Sequence, residues 1–511
     1  MADEQRRIFS VVGTLPEPGG YAVAKFSRSA RPYQEWIQEL TQEGAARFYE
    51  QFYFSYGHGS IADLAHLTMV AENISIIAAI EILDEQLVDA QESSTRYQDF
   101  TRRRFYTPPE IATSPLSDRY AAACDRAFTA YHSLHRSLVP HFERAYESAR
   151  PADLPEDEYR RILRARAFDV ARYLLPSSTY TGLGYLCSAR TLERQISRMA
   201  SHPLDEIREI AAELKRSATE PAYNPLSAQV QPAIDALAGS GLANSEEVLA
   251  QLRRATLADA AAAPTLVRYT APRPYLAATL ASAREAASRM FGDLAADGQR
   301  GVTLAAAVDP VTEVAATLLY RGSTCSYTQV LDALQALAEP EVEAIADLAY
   351  AGRGPHDELV REARAGFQLT FDLCLDNGAF RDLHRHRNCV QIIKDFTGDY
   401  GYDTPGEILA IGAEGDYARV MDEAARLAQD LERMKPGLGQ YALPLAYRRR
   451  ALFKMDSAQL TYMVEQRTAP AGHFSYRDIA FRMYEAFAAR FPSLARQVRV
   501  TDPSVESFFD R

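Results

Sequence analysis

The sequence predicts a helix-rich α+β protein made of two tandem copies of one fold. Three observations carry this. Long segments with apolar residues at a 3.6-residue period outnumber the strand-like runs. A set of short motifs occurs twice in the same order, at similar spacing. Each copy exceeds about 200 residues, far above the period of a solenoid repeat, so the copies read as domains.

The repeat is explicit. Phe105-Tyr106-Thr107-Pro108-Pro109-Glu110-Ile111 recurs as Tyr402-Asp403-Thr404-Pro405-Gly406-Glu407-Ile408. Upstream of each lies a glycine turn, Gly57-His58-Gly59-Ser60 before Asp63-Leu64, and Gly352-Arg353-Gly354-Pro355 before Glu358-Leu359. Earlier still, Phe26-Ser27-Arg28-Ser29 echoes Leu319-Tyr320-Arg321-Gly322-Ser323. Downstream, Tyr173-Leu174-Leu175-Pro176 echoes Tyr441-Ala442-Leu443-Pro444, with Arg198 and His202 following the first and Arg467 and His473 the second. The expected organisation is a first domain over residues 1–225, a linker and helical bridge over 226–296, and a second domain over 297–511.

In chain order, residues 1–30 read as a short extended segment and turn, punctuated by Pro16, Pro18, Gly19 and Gly20. Residues 31–55 carry helical spacing around Trp36, Ile37 and Leu40. Residues 61–87 read as a strand followed by a helix. Residues 118–149 and 155–175 read as long amphipathic helices, and Ile207, Ile210, Ala211 and Leu214 mark another. Residues 218–245, rich in Pro, Ala, Ser and Asn, read as a linker before an Ala-rich helical bridge. Val302-Thr303-Leu304 opens the second copy with a strand, and helices over 341–349, 417–435 and 476–489 complete it.

Composition narrows the function. The 47% apolar and 24% charged content is that of a globular protein, and no apolar run reaches membrane-spanning length. The N-terminus, Met1-Ala2-Asp3-Glu4-Gln5-Arg6-Arg7, lacks the apolar stretch of a signal peptide. Five cysteines without CxxC spacing fit reduced thiols in a cytoplasm. A net charge of −12 argues against general nucleic-acid affinity, so an anionic ligand must be gripped by a local basic cluster.

Two such clusters stand about 290 residues apart: Glu92-Ser93-Ser94-Thr95-Arg96-Tyr97, and Arg385-His386-Arg387. Arginine presents forked donors suited to phosphate, and the hydroxyls of Ser93, Ser94 and Thr95 complete a nest around Arg96. Position 84–86 in the first copy, Asp84-Glu85-Gln86, stands where the second has Arg385-His386-Arg387. A charge pair about 4 Å apart is worth roughly 4 kcal/mol near a protein surface, and acid in place of arginine turns that attraction into repulsion. A diphosphate is therefore excluded at residues 84–86. Asp395 similarly repels a phosphate in the second copy. His384, His386 and Cys389 could instead be read as metal ligands, but the flanking arginines oppose a cation.

These residues resemble the flavin-dependent thymidylate synthases. The signature of that family begins with Arg-His-Arg and ends with Glu-x-Ser-x-Arg-Tyr. The first copy keeps the end (Glu92, Ser94, Arg96, Tyr97) and the second keeps the beginning (Arg385, His386, Arg387). The resemblance covers most of residues 20–215 and about 300–490. It implies a tetrameric enzyme with sites at subunit interfaces, FAD as cofactor, dUMP as substrate, and methylenetetrahydrofolate and NADPH as co-substrates. It implies roles near the reaction for Arg198, Ser94 and His58. It assigns the nucleotide to Glu92, Ser94, Thr95, Arg96, Arg172 and Arg381, and the flavin to Arg385, His386, Arg387, Arg467, His473 and His202. The Asn-x-Arg group of the family is replaced by Ser188-Ala189-Arg190 and Asp456-Ser457-Ala458.

The expectation is one composite site using the surviving end of each copy, with the other site decayed. The reaction implied is reductive C5-methylation of dUMP to dTMP. The alternatives are a non-catalytic nucleotide- or flavin-binding homologue and a flavin enzyme acting on another pyrimidine nucleotide. By analogy with the family tetramer, the fused chain would form a homodimer acting as a pseudo-tetramer.

Overall fold

The computed structural model describes residues 13–26, 41–55, 59–97, 99–100, 105–239, 245–257, 260–274, 298–307, 309–322, 327–350, 369–504 and 508–509. Contacts divide the chain into two compact units. One comprises Met1–Glu72, Leu87–Glu92 and Gly182–Gly292, and the other Asn73–Gln86, Ser93–Thr181 and Asp293–Arg511.

The first unit opens with helix α1 (Pro16–Phe26), where an extended turn was expected. Pro16 and Pro18 fall in the first helical turn, where the missing N–H groups have no intrahelical acceptor to lose. Gly20 is there for closeness: a Cβ would lie 2.9 Å from the Tyr49 hydroxyl and 3.1 Å from the Ala65 nitrogen. Helix α2 (Gln42–Tyr49) is capped by the Thr41 side chain, which accepts from the Gly44 N–H. Strands β1 (His66–Ser75), β2 (Asp89–Glu92) and β3 (Tyr180–Ser188) form a sheet in the order β1-β3-β2. Between β1 and β2, in the second unit, lies α3 (Ile76–Leu83).

The second unit contains two long helices of the first copy, α4 (Ser117–Tyr146) and α5 (Glu156–Ala171). On α4, Tyr120, Cys124, Ala127, Tyr131, Leu134, Leu138 and Phe142 are buried, the stripe that its periodicity predicts. Back in the first unit, α6 (Ala189–Ala200) packs on α7 (Asp205–Thr219), which buries Ile207, Ile210, Ala211 and Leu214 as read from the sequence. The expected linker over 218–245 contains helix α8 (Pro225–Ala238), packed against α9 (Ser245–Ala255). Asn224 caps α8 by accepting from the Leu226 and Ser227 N–H groups, and Pro225 occupies the first helical position. Composition there signalled a helix start, not a linker.

The rest of the second unit is built on an antiparallel sheet of β4 (Gly301–Ala307), β5 (Leu369–Asp376), β6 (Val390–Ile393) and β7 (Arg448–Met455), in the order β4-β5-β7-β6. Helix α10 (Pro310–Gly322) follows β4, then α11 (Tyr327–Gln335) and α12 (Glu339–Asp347). Helix α13 (Asn377–His384) follows β5 directly, α14 (Glu414–Met434) precedes β7, and α15 (Ser457–Arg467) and α16 (Phe474–Arg490) follow it.

The duplication is visible in this topology. The order β5-β7-β6 repeats β1-β3-β2, each first strand running straight into a short helix. Ser75 caps α3 by accepting from the Ala78 N–H, and Asp376 caps α13 by accepting from the Ala379 N–H. Tyr120 donates to the Tyr106 carbonyl at 2.8 Å, and Tyr417 to the Asp403 carbonyl at 2.7 Å. Within the second unit the copies meet in reciprocal pairs. The Ser177 N–H donates to the Leu443 carbonyl and the Leu445 N–H to the Leu175 carbonyl, both at 2.9 Å. The Ser178 N–H donates to Tyr441 at 3.2 Å and the Ala446 N–H to Tyr173 at 3.1 Å. Such mutual pairing is the mark of a two-fold relation, here inside one chain around Pro176 and Pro444. Among the described residues no helix is long and apolar enough to cross a membrane.

Candidate functional site

Arg96 follows β2 in a turn in which its own N–H donates to Ser94 Oγ at 3.2 Å. The residue is only 7% exposed, and a buried guanidinium needs its donors filled. Nε donates to Asp169 on α5 at 2.8 Å, Nη1 to the Tyr476 hydroxyl at 3.0 Å, and Nη2 to the Ala471 carbonyl at 3.2 Å. Asp169 belongs to the first copy, and Tyr476 and Ala471 to the second. The arginine at the end of the first signature is thus held by both copies.

Arg385, His386 and Arg387 follow α13, and Arg467 ends α15. Arg467 Nε donates to His386 Nε2 at 2.7 Å, which leaves the imidazole proton on Nδ1. Burial, then Arg467, Arg387 and Arg385, pull the His386 pKa down to about 3, so the ring is neutral. The Tyr476 ring lies under two cations, with Arg96 at 5.6 Å and Arg467 at 5.5 Å from its centroid. Arg96, Tyr476, Arg467 and His386 therefore form one continuous chain of contacts. The two ends of the signature meet within a single chain.

Arg172, just after α5, lies deeper and is 2% exposed. Its Nη1 donates to Asp382 Oδ2 at 3.2 Å and to Thr95 Oγ1 at 3.5 Å, while Nε and Nη2 have no hydrogen-bond partner among the described residues. Gly378 makes room for this guanidinium, since a Cβ there would lie 3.3 Å from Nη2. Burial alone would raise the Asp382 pKa, but Arg172, then Arg385, Arg96 and Arg467, hold it at about 2. The carboxylate is ionised in the middle of the cluster.

The charges do not cancel. Asp169 pairs with Arg96 and Asp382 with Arg172. Among the described residues neither Arg385 nor Arg467 has an ion-pair partner within 4.0 Å, and His386 is neutral. Arg96, Arg172, Arg385 and Arg467 set against Asp169 and Asp382 leave two positive charges, the complement of a phosphate monoester dianion.

His473, fully buried, is neutral because burial depresses its pKa far below the usual value. Nε2 lies 2.9 Å from the Asp169 carbonyl and Nδ1 accepts from the Ser475 N–H at 3.1 Å. Both nitrogens are committed, so the residue caps α16 and fixes the backbone under Asp169. Arg381 is buried on α13. Arg387 lines a cavity of about 150 Å³ with Asp84, Glu85, Gln86, His384 and Cys389, so the beginnings of the two signatures face each other. Gln86 Nε2 donates to the Cys389 carbonyl across it at 3.0 Å.

The symmetry-related place, beside Asp84 and Asp395, lies in the field of another arginine, Arg449. The buried Arg449 guanidinium lies 4.5 Å from the Phe380 ring and 4.9 Å from Phe396. Burial lowers its pKa to about 10 against the opposing pull of Glu81, Asp395 and Asp84.

Glu92, Arg198 and His202 belong to the other unit. Glu92 ends β2, Arg198 lies in the last turn of α6, and His202 Nδ1 accepts from the Leu204 N–H at 3.2 Å. His58 lies outside the described residues. Sequence reasoning missed Asp169, Asp382 and Tyr476. Their only signal was spacing, since Asp169 and Asp382 each stand three residues before a site arginine and Tyr476 three after His473.

The family described as thymidylate synthase complementing protein matches this chain twice, over residues 16–222 and 311–493. A UPF0159 protein of Chlamydia pneumoniae is 26% identical over 482 residues, spanning 92% of this chain and 81% of that protein. A UPF0159 protein of Thermoplasma acidophilum is 26% identical over 524 residues, spanning 94% and 95%. A flavin-dependent thymidylate synthase of Clostridium tetani is 24% identical over 212 residues, 39% of this chain and 80% of that protein.

Proposed function

Since the chain belongs to the thymidylate synthase complementing protein family, we propose that it binds a pyrimidine nucleotide, dUMP or a close relative, at the composite arginine cluster. The reaction proposed is reductive C5-methylation to dTMP, with methylenetetrahydrofolate as carbon donor, NADPH as reductant and FAD as cofactor. The observation that carries the proposal is the continuous path from Arg96 through Tyr476 and Arg467 to His386. It unites two half-signatures that neither copy could use alone.

The residues fit a nucleotide monophosphate. The surplus of two positive charges matches the phosphate, and the unpartnered Nε and Nη2 of Arg172 supply buried donors. Arg96 is pre-positioned by Asp169, Tyr476 and Ala471, so little ordering is left for binding to cost. His386, neutral and with its proton on Nδ1, can offer a hydrogen bond without adding charge. Arg467 fixes that tautomer.

The residues at Arg387 do not fit a flavin diphosphate. The cavity there is about 150 Å³, and Asp84 and Glu85 form its opposite wall, whereas ligand sites of cofactor size run to roughly 300–1,000 Å³. The same observation favours the second reading, a nucleotide-binding homologue without catalysis. By analogy with the family tetramer, the proposed working assembly is a homodimer.

The test is purified protein incubated with dUMP, FAD, NADPH and methylenetetrahydrofolate, read by dTMP formation and by tritium release from C5-labelled dUMP. Turnover with retained yellow flavin supports the methylation. Binding of dUMP without flavin uptake or turnover supports the second reading. Absence of dUMP binding overturns both.

A further inference from the structure

The arginine cluster already contains an anion of its own. Asp382 is buried on α13, bound to Arg172 Nη1 at 3.2 Å and under the electrostatic pull of Arg385, Arg96 and Arg467. An acid whose purpose was to neutralise one buried arginine would leave a balanced pair with its donors filled. This pair is not like that. Two nitrogens of Arg172 have no partner, and two more arginines beside it have no ion-pair partner among the described residues. Asp376 feels the charge of Arg172, but among the described residues it forms no hydrogen bond or ion pair with it within 4.0 Å. Its carboxylate accepts from the Ala379 N–H and from the Ser475 hydroxyl. Gly378 lets the guanidinium approach the start of α13, so Arg172 and Asp382 are held together by backbone geometry as well as by charge.

We propose that Asp382 is the specificity-determining residue of this site: a side-chain carboxylate seated in the arginine bed, competing with the ligand phosphate for Arg172 and limiting how much negative charge the site accepts. The inference rests on the nucleotide reading above. With Asp382 ionised, the cluster has two positive charges to spare and suits a monoester dianion. Without it there are three, and the bed is open to a more highly charged anion. A phosphate entering the native site either shares Arg172 with Asp382 or displaces it. An opposite charge within about 4–6 Å shifts an ionisation equilibrium by roughly 1–3 pK units, and a like charge at such range acts in the reverse sense. The same repulsion, once removed, raises anion affinity by at least about tenfold.

The experiment compares the full-length protein with Asp382→Asn, Asp382→Ser and Asp382→Glu, measuring dUMP, dUDP and deoxyuridine binding by calorimetry. The proposal expects dUMP to bind Asp382→Asn at least about tenfold more tightly, dUDP to gain more than dUMP, and deoxyuridine, which lacks a phosphate, to be unchanged. Asp382→Glu keeps the charge and stays near the native affinity. Equal or weaker dUMP binding in both uncharged variants overturns the proposal and leaves the nucleotide reading standing. Binding of dUMP by Asp382→Asn and not by the native protein supports it while removing the native protein from the dUMP-binding class. No binding by any form overturns both. If the uncharged variants fold poorly, added inorganic phosphate must restore their thermal transitions by replacing the lost carboxylate; failure to do so also overturns the proposal.

Discussion

Tyr476→Phe tests the joint between the two copies with a single atom. The hydroxyl accepts from Arg96 Nη1 at 3.0 Å, and the ring supports Arg96 and Arg467 at 5.6 and 5.5 Å. Phenylalanine keeps the ring and loses only the acceptor. A hydrogen bond to a charged group contributes roughly 1.5–3 kcal/mol, and the buried guanidinium donor left behind cannot recover it from water. The retained ring keeps the cation–π part, roughly 0.5–2 kcal/mol, in both proteins. The expected loss of stability is therefore about 1.5–3 kcal/mol, measured as a lower urea midpoint by far-UV circular dichroism with an unchanged slope. Affinity for dUMP should fall as well, because Arg96 loses the contact that aims it from the second copy. Tyr462→Phe, at a tyrosine that is 56% exposed, is the control and should stay within about 0.5 kcal/mol. A Tyr476→Phe protein as stable as the native one, with the same dUMP affinity, would refute the claim that this tyrosine couples the half-signatures.

Acid should act on the protein through His386. Its folded pKa of about 3 lies below the unfolded value near 6.5, so the unfolded chain takes up the proton first. Stability is full above pH 6.5 and falls by about 1.4 kcal/mol per pH unit from this group as the pH drops toward 3. His386→Asn should flatten that slope in urea midpoints measured between pH 4 and 7; identical slopes in the two proteins would contradict it. Asp382 acts lower, where its ionised form contributes above about pH 4 and is lost as the pH falls toward 2. Gly378→Ala would place a Cβ 3.1 Å from Asp376 Oδ1 and 3.3 Å from Arg172 Nη2. We expect about 1–3 kcal/mol of destabilisation and weaker dUMP binding, read by melting temperature and calorimetry. Light scattering should give twice the 56.8 kDa chain mass, and a monomer would remove the homodimer from the proposal.

Much of the helical framework was legible because burial imposes a period. The stripe along α4 and the quartet Ile207, Ile210, Ala211 and Leu214 on α7 were readable before any coordinates, since only one helical face meets the core. The errors fell where helix-start residues resemble loop residues. Pro16 and Pro18 in α1, and Asn224 and Pro225 in α8, satisfy or forgo the orphan N–H groups of a first turn, so the composition that suggested a turn and a linker was the composition of a helix entrance.

The sequence by itself determined the duplication and the complementary loss of signature ends, because motif order and residue charge are written in one dimension. Asp84 and Glu85 cannot become arginines in any fold. Only the tertiary structure decided which partners the surviving arginines have. Beyond a three-residue spacing to a site residue, nothing local marks Asp169, Asp382 and Tyr476, because a buried guanidinium finds its acceptors wherever the chain returns, about 70 to 380 residues away for Arg96. The two-fold pairing about Pro176 and Pro444 brings the end of one signature to the beginning of the other, and a geometric relation of that kind exists only after folding.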